Sequence, residues 1–251
     1  TSEQSAQQAE SDAEAQPASE DSAPEAEAEP AEAEEEAAPA ADESDEPITI
    51  VFSNVAETAT LDPAIAYSSD GLEFVRNVYD GLLTYVPAST ELEPALAESW
   101  EVSEDGLEYT FELRQDVTFH DGTPFNAEAA KVGLERLQAI NQGPASLMGD
   151  IDTIEAVDEF SLKITLKQPN VFFLGVLPKL PLVSPTAIET NKTDEDPWAE
   201  DFFATNGVGT GPYMFDSWTK GSQIVMVKNH DYWREWKPFT ADRVILRVDA
   251  D

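Results

Sequence analysis

Apolar and polar residues alternate most strongly over residues 107–113, where Leu107, Tyr109, Phe111 and Leu113 are separated by Glu108, Thr110 and Glu112. A period of two puts the first set on one face of a strand, toward a core. The strand 100–103 precedes it across Ser103-Glu104-Asp105-Gly106, whose Asp-Gly pair suits a tight turn, so 100–113 is predicted as a hairpin. Phe160, Leu162, Ile164 and Leu166 repeat the pattern after the apolar segment 151–157, which predicts a second hairpin. Ile48, Ile50 and Phe52 share one face of a strand over 48–53, and further strands are predicted at 82–86, 117–120, 213–218, 224–228 and 244–248.

Helical spacing appears between these strands. Leu72, Val75, Val78 and Tyr79 form one stripe, with Ser69 or Asp70 as the cap and Gly81 as the stop. Asn126 caps a helix over 127–140 that buries Ala130, Leu134 and Leu137. Pro169, Pro178, Pro181 and Pro185 break the next apolar stretch into short helical pieces, with a helix starting at Ser184-Pro185. The sum is an α/β chain of the mixed α+β kind, rich in strands.

Charge divides the chain. Of 51 Asp and Glu residues, 17 lie in residues 1–47, which hold no Lys, Arg, Leu, Ile, Val or aromatic residue. Such a segment has nothing with which to form a core, and five prolines interrupt its Glu-Ala runs, so residues 1–47 are expected to be a disordered acidic tether. Residues 48–251 carry all the aromatic residues and a net charge of −20 of the total −37. A charge of this sign argues against nucleic acid and against electrostatic adsorption to an anionic membrane, since both need clustered cations. The absence of cysteine closes disulfide and thiolate chemistry. The first residue is Thr1 rather than methionine, and a polar tail before a globular region is what stands between a lipid anchor and an exported domain; a removed upstream segment is therefore expected.

Candidate chemistry is sparse. The loop Gly207-Val208-Gly209-Thr210-Gly211 lacks a following Lys-Ser/Thr, and Pro212 offers no N–H, so it reads as a tight backbone crossing rather than a phosphate cradle. His120 and His230 each precede an aspartate but have no ligand partner at metal spacing, and a structural role is expected for both. The aromatic run Tyr232, Trp233, Trp236 suits either a stacked ligand or the cover of a core edge. No catalytic signature, metal site or cofactor is predicted.

Several stretches together resemble one family. They are Pro94-Ala95-Leu96-Ala97-Glu98-Ser99-Trp100, Ser103-Glu104-Asp105-Gly106, Tyr109-Thr110-Phe111, and Phe119-His120-Asp121-Gly122-Thr123-Pro124-Phe125. Leu61-Asp62-Pro63, Val78-Tyr79-Asp80-Gly81-Leu82-Leu83, Leu134-Glu135-Arg136, Gly209-Thr210-Gly211-Pro212-Tyr213 and Asn229-His230-Asp231-Tyr232-Trp233 complete the order. This set is similar to the family 5 extracellular solute-binding proteins, the peptide, dipeptide and nickel-complex receptors of ABC importers.

The resemblance implies a binding protein and not an enzyme. Residues 48–251 would be the amino-terminal lobe of a type II periplasmic-binding-protein-like, two-lobed fold, with the second lobe absent. The implied function is capture of an oligopeptide or dipeptide and its delivery to the permease subunits. The alternatives are another solute (a nickel chelate, a sugar, haem) and a ligand-sensing receptor; a hydrolase is the remotest. The implied protein is a monomer, either anchored by lipid to the outer face of the cytoplasmic membrane or periplasmic. For the ligand site, the resemblance assigns Tyr67, Ser68 and Ser69 to the cleft loop, Asn54 and Glu57 to the cleft rim, and Ser146 to a further ligand contact.

Overall fold

A computed structural model describes residues 47–238 and 240–249; apart from Pro47, the expected tether lies outside them. In chain order the strands are β1 (Thr49–Asn54), β2 (Leu83–Tyr85), β3 (Leu92–Pro94), β4 (Ala97–Val102), β5 (Glu108–Leu113), β6 (Ile151–Ala156), β7 (Ser161–Leu166), β8 (Tyr213–Thr219), β9 (Gln223–Lys228) and β10 (Arg243–Val248). The helices are α1 (Ser69–Val78), α2 (Ala127–Ile140), α3 (Pro185–Asn191) and α4 (Glu200–Phe203), with short 3-10 segments at Gly143–Leu147 and Phe173–Lys179.

Both predicted hairpins form, and they join into one antiparallel sheet in the order β4-β5-β7-β6. The register places Phe111 opposite Trp100 on one side and Leu162 on the other. Tyr109, Phe111 and Leu113 of β5 and Leu162, Ile164 and Leu166 of β7 are buried in one cluster with Leu134 and Leu137 of α2. Full burial of each such side chain contributes about 1.5–3 kcal/mol.

A second sheet runs β1-β10-β9-β8, with β1 and β10 parallel and the other pairs antiparallel. Its buried residues Tyr213, Ile224, Met226, Val244 and Leu246 share a second cluster with Phe74, Val75 and Val78 of α1, Ile188 of α3 and Phe203 of α4. The outer strands β4, β6 and β8 each carry a register shift of the bulge kind, a common way to blunt a sheet edge. β1 has none: it pairs continuously with β10, and Ile48, Ile50, Val51 and Phe52 are all 41–51% exposed. The strand forms as predicted, but the shared face of Ile48, Ile50 and Phe52 is not covered.

Three local expectations change. Ser68, not Ser69 or Asp70, caps α1; its backbone is extended (ψ 164°) and its hydroxyl accepts from the Gly71 N–H. α1 then ends at Val78, before Gly81, because Tyr79 turns extended. Gly81 serves a close approach instead, since a Cβ there would lie 2.5 Å from the Leu177 carbonyl oxygen. Residues 117–120 form no strand. Only Thr118 bridges Pro124, while the His120 N–H is drawn to the Gly209 carbonyl at 2.8 Å.

Candidate functional site

The loop before α1 is locked from below by charge. Asp62 and Arg136 are fully buried and form a bidentate pair, with Arg136 Nη1 to Oδ1 at 2.8 Å and Nη2 to Oδ2 at 2.6 Å. Arg136 Nε donates to the Trp198 carbonyl at 2.9 Å, and its guanidinium lies 4.4 Å from the Phe203 ring centroid. Asp62 Oδ1 also accepts from the Ala64 N–H at 2.9 Å. Each polar group therefore has a partner, as a buried pair requires. Leu61 belongs to the second cluster and Ala64 to the first, so the pair sits where the two cores meet.

The glycine-rich loop crosses the end of α1. A Cβ on Gly209 would lie 2.1 Å from the Val78 carbonyl oxygen, and one on Gly211 2.6 Å from the Val78 carbonyl carbon. Gly211 N–H donates to Val78 O at 3.0 Å, which ties the loop to the end of α1. His120 ties the crossing down: Nε2 faces the Gly211 carbonyl at 2.9 Å, and the Gly209 N–H points at Nδ1 at 3.4 Å. A carbonyl only accepts and an N–H only donates, so the imidazole is the neutral Nε2–H tautomer. Burial holds its pKa below the usual histidine value, against the opposing pull of the Gly211 carbonyl and Asp121.

Above this scaffold lies a cavity of about 500 Å³ walled by α1, β2 and the segment around Pro178–Pro181. Leu72, Val75 and Arg76 contribute from α1; the spacing i, i+3, i+4 makes them one helix face, and Tyr79, the residue just after the helix, continues the wall. Tyr85 lies in the opposite wall, its hydroxyl donating to the Gly175 carbonyl at 2.6 Å. Asp80 belongs to the lining but turns its carboxylate toward the protein. Thr210 Oγ1 and Trp233 Nε1 both donate to Oδ2 at 3.0 Å, and the Tyr232 hydroxyl lies 3.5 Å from Oδ1. Burial pushes the Asp80 carboxyl above the usual range, and these donors and Arg234 pull it back. Trp233 and Tyr232 thus serve as donors to Asp80, while Trp236 Nε1 donates to the Asn229 carbonyl at 3.0 Å; none of the three lines the cavity.

The six residues expected at the ligand site fall into two groups. Tyr67 lines the cavity and is 39% exposed. Ser68 and Ser69 follow it as the cap and first residue of α1, and Ser146 sits exposed in the 3-10 segment Gly143–Leu147, donating to the Gly143 carbonyl at 3.2 Å. A Cβ on Gly143 would lie 3.4 Å from the Tyr67 Cβ, so this segment adjoins the same loop. Asn54 and Glu57 lie against the second sheet instead. Asn54 Nδ2 donates to Glu73 at 2.7 Å, and Glu57 Oε1 accepts from Trp218 Nε1 at 2.9 Å and from the Gly221 N–H at 2.7 Å. Arg76 and Lys179, both in the cavity wall, were missed in sequence. The available signal was a cation on the cavity-side face of α1 and a lone lysine between Pro178 and Pro181. Among the described residues, no cluster of three or more His, Cys, Asp or Glu could hold a metal ion, and no helix is long and apolar enough to cross a membrane.

Comparison with known proteins decides the family. The family described as bacterial extracellular solute-binding proteins, family 5 Middle, matches residues 91–251, more than half of the chain. This chain belongs to that family. Its motif order, read residue by residue, had pointed to these solute-binding proteins. The chain is 38% identical over 189 residues to the probable D,D-dipeptide-binding periplasmic protein DdpA of Escherichia coli (strain K12), covering 73% of this chain and 36% of that protein. Two solved structures each match with a TM-score of 0.70 at 30% identity. They are NikZ from Campylobacter jejuni in complex with Ni(L-His), covering 80% of this chain and 39% of that one, and the ABC transporter-associated periplasmic binding protein DppA from Helicobacter pylori in complex with peptide STSA, covering 82% and 44%. The chain therefore spans well under half the length of these relatives.

Proposed function

We propose that this chain is the amino-terminal lobe of the substrate-binding subunit of an ABC importer, and that the cavity beside Tyr67 is its half of a peptide-binding cleft. The observation that carries this reading is the concave, partly apolar wall built on α1, β2 and Pro178–Pro181, in a chain of a solute-binding family. Such cavities, mainly apolar with a few convergent polar groups, are the usual form of a small-molecule site. The buried pair Asp62–Arg136 and the glycine crossing hold the wall in place, and no group in it is set up as nucleophile and base. The open apolar strand β1 supports the lobe reading, since an unblunted edge of this kind suits contact with further polypeptide.

In this reading the protein takes its ligand between two lobes, and closure is driven by contacts made to both at once. The acidic segment 1–47 would act as a spacer from a lipid-anchored amino terminus outside the cell or in the periplasm, with the permease as partner. Peptide is the preferred ligand because DdpA is named for dipeptides and DppA was solved with the peptide STSA. NikZ holds a nickel–histidine complex, so chelates belong in the same test panel. Titration calorimetry of the full-length protein against a peptide library should find peptide binding. Binding of a chelate, sugar or haem with none of any peptide would overturn the peptide assignment.

A further inference from the structure

Among the described residues, the cavity wall brings two cations without ion-pair partners to one space. In residues 48–251, acids outnumber bases heavily, and nine of the 14 Lys and Arg residues form ion pairs. The remainder are Arg76, Lys167, Lys179, Lys220 and Lys237, and Lys167 still donates to the Gly149 carbonyl while Lys220 lies 4.8 Å from the Trp218 ring centroid. Two of the five, Arg76 and Lys179, line the same cavity. Among the described residues neither makes an ion pair or a side-chain hydrogen bond. The one acid in the lining, Asp80, turns its oxygens to Thr210, Trp233 and Tyr232 and forms no ion pair with either cation.

The geometry points to a ligand that bears a carboxylate, seated between Arg76 and Lys179. Arg76 enters from α1 and Lys179 from the Pro178–Pro181 segment, so the two cations approach one space from different walls. Guanidinium and ammonium groups suit a carboxylate through charge-assisted hydrogen bonds, the arginine bidentately. Leu72, Val75, Pro178 and Pro181 give the remaining body of the ligand an apolar bed, with Tyr67 at its side. In a lobe of strongly negative charge, a local pair of free cations also selects the anionic solute over its neutral analogue, by attraction close by and repulsion elsewhere. The inference rests on the cavity being the capture cleft, and it adds the chemical class of what is captured.

The test uses matched probes and the full-length protein. Dialanine and trialanine are compared by calorimetry with their carboxy-terminal amides, and gluconate with glucose, on wild type and on Arg76→Gln and Lys179→Gln. Wild type should prefer the acid of a pair by about tenfold or more, the scale of one charge-assisted contact. Each variant should weaken the acid by roughly five- to tenfold and leave the amide or glucose unchanged. Circular dichroism melting of the variants confirms that they are folded. Equal binding of acid and amide overturns the proposal. So does equal weakening of both by the variants, which would assign the cations to closure between lobes. Discrimination within the gluconate pair with no peptide bound sinks the peptide reading but upholds this one; peptide binding with no acid preference does the reverse. No binding by any pair rejects both.

Discussion

Two places in this molecule put charge against apolar surroundings, and they treat it in opposite ways. At the meeting of the two cores, Asp62 and Arg136 are fully buried and every polar atom of the pair is matched. In the cavity wall, Arg76 and Lys179 are exposed and, among the described residues, without an ion-pair partner. The first arrangement is sealed from solvent, and its worth lies in fixing the loop that leads into α1. The second leaves all its capacity free. Charge that is spent belongs to the scaffold, and charge that is withheld belongs to the ligand.

The sharpest way to break that contrast is to remove one member of the buried pair. Arg136→Met in the intact protein leaves a buried carboxylate alone, and should cost about 3–5 kcal/mol in urea unfolding. Adding Asp62→Leu should recover much of the loss, because two apolar groups carry no desolvation penalty. A single substitution that costs under about 1 kcal/mol, in the range of a surface ion pair, would show that the pair does not join the cores. The next largest effect is expected at Gly209→Ala. Its Cβ would meet the Val78 carbonyl oxygen at 2.1 Å, and backbone on both sides leaves little room to relax, so roughly 1–3 kcal/mol or more is expected.

The parts of this structure that sequence made legible are those governed by period. The run 107–113 announces β5 because its alternation survives in the buried Tyr109, Phe111 and Leu113, and Asn126 caps α2 as its side chain dictates. The glycine loop was legible too, as a crossing, since Pro212 has no N–H. Long-range meetings were not. Nothing local says that Arg136 reaches Asp62, 74 residues away, or that Asp80 collects donors from Thr210 and Trp233. The stripe read on α2 was Ala130, Leu134 and Leu137, and Arg136 is buried beside it because an opposing charge waits there. Ser68 displaced its neighbours as the α1 cap because the chain turns helical at Ser69, earlier than expected. For the cavity, the helix face that mattered was Leu72, Val75 and Arg76, and its arginine broke the apolar pattern used to find it.

A smaller effect separates scaffold from cleft by pH. His120 is neutral and its folded pKa lies below the ordinary value of 6.5 because it is buried. Below that value the unfolded chain binds a proton that the folded protein refuses, so stability is complete above about pH 6.5 and declines as pH falls from there toward the folded pKa. His120→Gln keeps a donor for the Gly211 carbonyl but does not titrate. Denaturant midpoints of wild type should therefore fall between pH 6.5 and 5 more steeply than those of the variant. Parallel curves would remove His120 from the scaffold side of the comparison.

The smallest expected effect is the one that completes the contrast. Arg76→Gln and Lys179→Gln remove cations that make no ion pair in the described structure, so neither change leaves a partner stranded. Each should shift unfolding stability by no more than about 0.5 kcal/mol, the range of surface substitutions away from special features. Removing positive charge from so acidic a chain even adds repulsion, and a loss confined to low salt would be that general term, screened within about 10 Å at 0.1 M. A loss that persists in high salt would mean that Arg76 or Lys179 packs as part of the fold, its stem covering apolar wall. The two regions would then differ in degree and not in kind.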